Sequence, residues 1–210
     1  MIAILRVVIS LFIFATAAQA RADQAIIVLD ASGSMWGQIA GETKMDIAKR
    51  TLATVLGTVP PTLELGMMAY GHRDKGSCAD IELMVPPAAG SANAIAAAAY
   101  GINPKGKTPL SDSVRQAAEI LRFTEEKATV ILVTDGIETC EADPCAVASA
   151  LEAAGVDITV HVVGFGLTDD EGRQVACLAE NTGGQYLPAG DAAMLWVDVE
   201  TRNARGLLAP

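Results

Sequence analysis

Five oxygen-bearing side chains carry the chemical interest of this chain. Asp30, Ser32 and Ser34 fall in the stretch Ile26-Ile27-Val28-Leu29-Asp30-Ala31-Ser32-Gly33-Ser34-Met35-Trp36-Gly37. Thr108 follows in Lys107-Thr108-Pro109-Leu110, and Asp135 in Thr134-Asp135-Gly136. Carboxylates and hydroxyls are hard oxygen donors, the set that a small divalent cation such as Mg²⁺ prefers, with Mn²⁺ or Ca²⁺ as alternatives. Each residue also has a plainer reading. The aspartates could cap turns, the serines could bond the backbone of their own turn, and Thr108 could cap the helix that starts at Pro109. Those readings leave unexplained why all five should belong to one rim. Two neighbouring carboxylates with no basic partner would repel and shift their pKa values, and a cation between them relieves that.

The surrounding elements place these residues. Ile26–Leu29 is a continuous apolar run ending in Asp30, and Thr129–Thr134 is a second ending at Asp135; both read as strands buried on two faces. Lys44–Leu56 has helical apolar spacing closed by Gly57, and Leu110–Leu121 is a second amphipathic helix. Between the first strand and helix, Gln38–Thr43 reads as a polar loop. Leu63–Tyr70 reads as a strand, and Ala79–Val85 as an antiparallel edge strand ended by Pro86-Pro87. Ser91–Tyr100 is Ala-rich and helical. Asp143-Pro144 opens a helix to Ala154, and Thr168-Asp169-Asp170-Glu171 is a capping box opening another. Asp157–Gly164 and Gln185–Leu187 complete the strands, and Asp191 caps a last helix. Strands alternating with helices predict an α/β fold: a doubly wound, mostly parallel six-stranded sheet with one antiparallel edge strand and helices on both faces. In such sheets, ligand sites form beyond the carboxyl ends of the strands, which is where Asp30 and Asp135 stand.

The ordered set D-x-S-x-S, then a threonine, then an aspartate followed by glycine resembles the von Willebrand factor type A domain. The resemblance runs from about Ala25 to the end of the chain. It implies a metal-ion-dependent adhesion site (MIDAS) in which Ser32, Ser34 and Thr108 contact Mg²⁺ through their hydroxyls. Asp30 and Asp135 would hold it mainly through waters or oriented hydrogen bonds. It further implies that an acidic group of a partner protein fills the open metal position, in adhesion or complex assembly rather than catalysis. A metal-dependent hydrolase is the alternative. It needs a base beside the ion, and near the rim only His72 and Glu138 offer one, neither in a recognisable catalytic motif. A subunit serving an ATPase, as in cytoplasmic relatives, conflicts with the export signal.

That signal occupies residues 1–20. One positive charge in Met1–Arg6 precedes the apolar run Val7–Ala18, and Ala18-Gln19-Ala20 fits a signal-peptidase site with cleavage after Ala20. Residues 22–210 then form one domain, periplasmic or secreted. Losing Arg6 leaves 14 basic against 25 acidic residues, a net charge of −11, which argues against nucleic acid and anionic membranes as partners.

All four cysteines, Cys78, Cys140, Cys145 and Cys177, lie in the exported part, where disulfides are the default and three connectivities are open. The family's strand order implies Cys78–Cys140 and Cys145–Cys177. Other residues read as structural. His72 and Arg73 belong to a solvated loop, His161 and the Met67-Met68 pair to the core. Gly164-Phe165-Gly166 lacks the third glycine of a phosphate loop. Trp36 is either an exposed anchor for a partner or a lid on its own loop.

Overall fold

A computed structural model of the protein describes residues 23–189. The expected export segment, residues 1–20, and the helix expected from Asp191 lie outside the described residues. In chain order the elements are β1 (Gln24–Asp30), a 3₁₀ turn (Gly33–Trp36), β2 (Gln38–Ile39), β3 (Glu42–Thr43), α1 (Lys44–Leu56), β4 (Glu64–Tyr70) and β5 (Ile81–Ala89). They continue with α2 (Ala92–Tyr100), α3 (Leu110–Ile120), β6 (Lys127–Thr134), α4 (Pro144–Ala154), β7 (Asp157–Phe165), α5 (Asp169–Glu180) and β8 (Tyr186–Ala189).

Six strands form one sheet in the order β5-β4-β1-β6-β7-β8. All neighbours are parallel except β5, which runs antiparallel to β4 at the edge. The continuous apolar runs are explained by helices on both faces. From β1, Ile27 and Leu29 pack with Met45, Ile47 and Leu52 of α1 and Ile95 of α2. On the other face, Ile26 and Val28 pack with Val114 and Ala117 of α3, Leu151 of α4 and Leu178 of α5. Met67 and Met68 are both buried, one on each face, as the alternation of a strand requires. Expected helix ends are in place: Asp143 accepts the Cys145 and Ala146 N–H groups, and Thr168 and Glu171 form a reciprocal capping box.

Two expectations fail locally. The prolines do not end β5, which runs through Pro86-Pro87 to Ala89. They sit at a bulge on the sheet edge, where the register shifts between Leu65 and Met67, and Gly66 leaves room for the Pro87 ring. The polar loop Gln38–Thr43 is a small hairpin, β2 against β3, turned at Ala40 and Gly41 with φ of 52° and 86°.

Both predicted disulfide pairings form. Cys78–Cys140 has Cα atoms 5.7 Å apart and Cys145–Cys177 5.2 Å. The first joins the β4–β5 loop to the loop after Asp135; the second joins α4 to α5. No helix of the described residues is long and apolar enough to cross a membrane.

Candidate metal centre

The turn after β1, the loop after β4 and the loop leading to Thr108 are stitched together by their backbones. Gly33 N–H donates to the Gly106 carbonyl (3.0 Å), Lys105 N–H to those of Ala31 (3.1 Å) and Gly71 (3.0 Å), and Gly106 N–H to that of Gly71 (2.7 Å). Gly71 has φ of 71°, and a Cβ there would stand 2.6 Å from the Lys107 carbonyl oxygen, so only glycine allows this approach. The loop bearing Thr108 is thereby fixed beside the turn bearing Ser32 and Ser34. Thr108 is fixed from its other side as well: its N–H donates to Thr139 Oγ1 at 2.7 Å and its carbonyl accepts the Thr139 N–H at 3.2 Å.

Parallel pairing puts the ends of β1 and β6 side by side, and Asp30 and Asp135 are both buried there. Asp30 Oδ1 accepts the Ser32 N–H at 2.7 Å, and its Oδ2 accepts the Thr134 hydroxyl at 2.8 Å. Ser32 Oγ and Ser34 Oγ are 2.9 Å apart, and Ser34 Oγ donates to Asp135 Oδ1 at 2.8 Å. Asp30 does cap its own turn, through the Ser32 N–H. Neither the Ser32 nor the Thr108 side chain caps its following helix; the serine hydroxyls face each other and Asp135. Burial, and after it the neighbouring Asp135 charge, pushes the Asp30 carboxyl up to about 6.

Between these groups a space is kept open. A Cβ at Gly136 would stand 3.6 Å from Ser34 Oγ and 4.0 Å from Thr108 Oγ1, so the glycine after Asp135 leaves unfilled the gap those hydroxyls border. Ser32 Oγ and Asp135 Oδ1 each lie one hydrogen bond from Ser34 Oγ, and hard oxygen donors of this kind would suit a divalent cation. Among the described residues no group of three or more His, Cys, Asp or Glu gathers to hold a metal, so a centre here would have to draw on hydroxyls.

Several participants escaped the sequence reading. Thr134 holds Asp30 from the adjacent strand, and the fully buried Tyr70 directs its hydroxyl at Thr134 Oγ1 (3.3 Å) from β4. Burial first, then the Asp30 charge, raises the Tyr70 pKa well above its ordinary value. Asp135 also has a basic partner, contrary to the expectation that the two carboxylates lack one: Lys44 Nζ is 2.8 Å from its Oδ2. A lysine at the start of a helix gives no sequence sign that it turns towards a distant aspartate.

The remaining candidates have structural duties. Glu138 accepts the Ser111 N–H at 2.9 Å and the Cys140 N–H at 2.8 Å, one on each carboxylate oxygen. His72 Nε2 meets Glu82 at 3.0 Å, while Arg73 folds its own loop by pairing with the buried Asp80 at 2.7 Å. His161 is half-buried, its Nδ1 accepting the Gln185 N–H at 3.2 Å, and burial lowers its pKa. Trp36 is 54% exposed, and its indole N–H donates to the Pro104 carbonyl at 2.9 Å. The ring is therefore tied to the loop leading to Thr108 while about half of it stays in solvent.

Comparison with known proteins places the fold in a family. The von Willebrand factor type A domain pattern matches residues 25–138, a span that includes all five candidate ligands. The chain is 32% identical over 190 residues to YwmD of Bacillus subtilis (strain 168), covering 84% of this chain and 83% of that one. Among solved structures, the pilus adhesin SpaC from Lactobacillus rhamnosus GG superposes with a TM-score of 0.71 at 14% identity, over 89% of this chain and 31% of SpaC. Proximal thread matrix protein 1 from the mussel byssus, solved with a zinc-occupied MIDAS motif, gives 0.64 at 18% identity, over 86% of this chain and 44% of that one. At such identities the two structures establish the fold alone, and this chain spans less than half of either. The matched pattern and the kinship to YwmD establish the family: the chain belongs to the von Willebrand factor type A domain family.

Proposed function

We propose that this protein is an exported binding domain that holds Mg²⁺, or Mn²⁺ or Ca²⁺ in its place, at the rim of its sheet and uses the ion to grip an acidic group of a partner protein. The observation that carries this reading is the gap at Gly136, bordered by the Ser34 and Thr108 hydroxyls and backed by Asp135. Ser32, Ser34 and Thr108 would supply neutral ligands, with Asp30 and Asp135 compensating the charge from behind. When bound, the ion supplies a positive centre able to accept one further oxygen, here a partner carboxylate. The chain's part is orientation. Thr134 and the Ser32 N–H fix Asp30, Ser34 bridges to Asp135, and Thr139 fixes Thr108. Export rests on residues 1–20 acting as a signal peptide cleaved after Ala20, leaving residues 22–210 as the domain in a periplasm or outside the cell. The two disulfides suit such an oxidising compartment. A binding role is also supported by the engagement of both Glu138 oxygens with backbone N–H groups, which ties down the carboxylate a hydrolase would use as base.

The test is a thermal melt of the protein in EDTA, Mg²⁺, Mn²⁺ and Ca²⁺ beside Asp30→Ala, followed by binding to an immobilised glutamate surface. At a hundredfold excess over Kd, the metal adds about 2.7 kcal/mol to the folded state, a rise of roughly 5–10 °C. The expected result is a shift and a Mg²⁺-dependent retention, both lost in Asp30→Ala. Equal retention in EDTA and Mg²⁺, or by parent and variant alike, would overturn the proposal.

A further inference from the structure

We infer that Lys44 is a built-in counter-cation of this centre, sharing Asp135 with the divalent ion and so setting how tightly the ion is held; this rests on the metal-site reading above. The Asp135 side chain is fully buried, and its two oxygens are treated differently. Oδ1 accepts the Ser34 hydroxyl, whereas Oδ2 accepts no directed hydrogen bond and is balanced by the Lys44 ammonium at 2.8 Å.

The lysine is held as though for this contact. It is the first residue of α1, where a cation opposes the helix dipole, so helix stability does not explain its presence there. Its stem runs past two glycines: a Cβ at Gly166 would lie 2.9 Å from Lys44 Cε and 3.1 Å from Nζ, and one at Gly37 would lie 3.3 Å from Cε. The Lys44 N–H donates to the Gly37 carbonyl at 2.8 Å, anchoring the start of the helix beside the serine turn. Lys44 thus passes through a slot that a side chain at Gly166 would close.

The consequence is electrostatic. Without metal, two buried carboxylates share a rim, and Lys44 compensates one of them, which keeps the empty site folded. An arriving divalent ion then meets one uncompensated negative charge rather than two, together with a fixed cation that repels it. Removing the lysine charge should therefore act in opposite directions on two readouts: the metal-free protein becomes less stable, and the metal binds more tightly. A lysine that served only to position Asp135 would lower both.

The experiment measures Mn²⁺ affinity by calorimetry for the parent, Lys44→Gln and Lys44→Met, with urea melts of each in EDTA and in saturating Mn²⁺. Glutamine keeps an N–H donor and a similar length, so it removes the charge with the least risk to the fold. A unit charge near a divalent ion is worth roughly a factor of ten even at a water-like dielectric. Both variants are expected to bind Mn²⁺ about tenfold more tightly than the parent, to melt earlier in EDTA, and to recover in Mn²⁺. Binding by the variants alone would also support the proposal, the lysine then standing in for the ion altogether. A parent that binds Mn²⁺, with variants that bind equally or more weakly, overturns the role of Lys44 and leaves the metal site standing. Absence of binding in all three proteins overturns the metal site and this inference with it.

Discussion

Replacing Asp30 by Asn should stabilise the metal-free protein, although Asp30 is a candidate ligand. Asp30 is completely buried and its carboxyl is raised from 3.8 to about 6, by burial first and the Asp135 charge second. A folded-state value above the unfolded one means that protonation favours the fold. The associated stability is fully present below about pH 4 and is lost as the pH rises through about 6. The gap corresponds to about 3 kcal/mol at pH 7.5 and to about half that at pH 5, where the unfolded carboxyl is ionised and the folded one mostly is not. Asparagine is nearly the same shape and can keep the hydrogen bonds. Its carbonyl takes the Ser32 N–H, its amide donates to Thr134 Oγ1, and the Thr134 hydroxyl turns to the Gly136 carbonyl, already 3.1 Å away. In EDTA at pH 7.5, Asp30→Asn should therefore exceed the parent by up to about 3 kcal/mol in urea melts, with the advantage roughly halved at pH 5. Saturating metal should restore the parent and leave the variant unmoved. A variant less stable than the parent in EDTA at pH 7.5, or an advantage that does not shrink at pH 5, would refute the assignment of buried repulsive charge to Asp30.

Two further outcomes follow from the rim. Gly136→Ala places a methyl group at ordinary contact distance from Ser34 Oγ and Thr108 Oγ1, so it should lower Mn²⁺ affinity at least tenfold by calorimetry while changing the urea midpoint in EDTA little; unchanged affinity would remove the gap as the metal's position. The disulfides should separate: replacing Cys78 and Cys140 by serine should cost about 2–5 kcal/mol and weaken Mn²⁺ binding, because that bridge holds the loop carrying Thr139 and Glu138, whereas the Cys145/Cys177 pair should cost similar stability and leave affinity unchanged.

What the sequence made legible, and what it did not, divides along a physical line. β1 and β6 could be read because a strand buried on both faces must be apolar at every position, and Asp30 and Asp135 could be read because each abruptly ends such a run. The helices declared themselves by local chemistry: the Asp143 cap before Pro144, the Thr168–Glu171 box, the glycines beyond α1 and α4. β5 was cut short because a proline normally stops a strand, and nothing local says that Gly66, on the neighbouring strand, makes room for Pro87. The hairpin at Ala40-Gly41 lacks an Asn-Gly or Asp-Gly signal, and its Ala40 takes a left-handed φ that its identity does not advertise.

The same line runs through the site. The candidate ligand motif is short-range, with Asp30, Ser32 and Ser34 crowded on one turn, so their shared placement can be seen in five residues. The groups that set the electrical state of that turn come from elsewhere: Thr134 from β6, Tyr70 from β4 and Lys44 from α1. Each is an ordinary member of its own element until the sheet is assembled. Parallel pairing then sets Tyr70 beside Asp30 on one side and β6 on the other, so the strand order brings Tyr70, Asp30 and Thr134 together, while Lys44 reaches Asp135 from α1. Burial does the rest, since a carboxylate that could ignore an ammonium in water cannot do so at zero exposure. The rim motif therefore names which oxygens can face a cation. On the proposed reading, how strongly they would attract one depends on a lysine and a strand order that the motif does not contain.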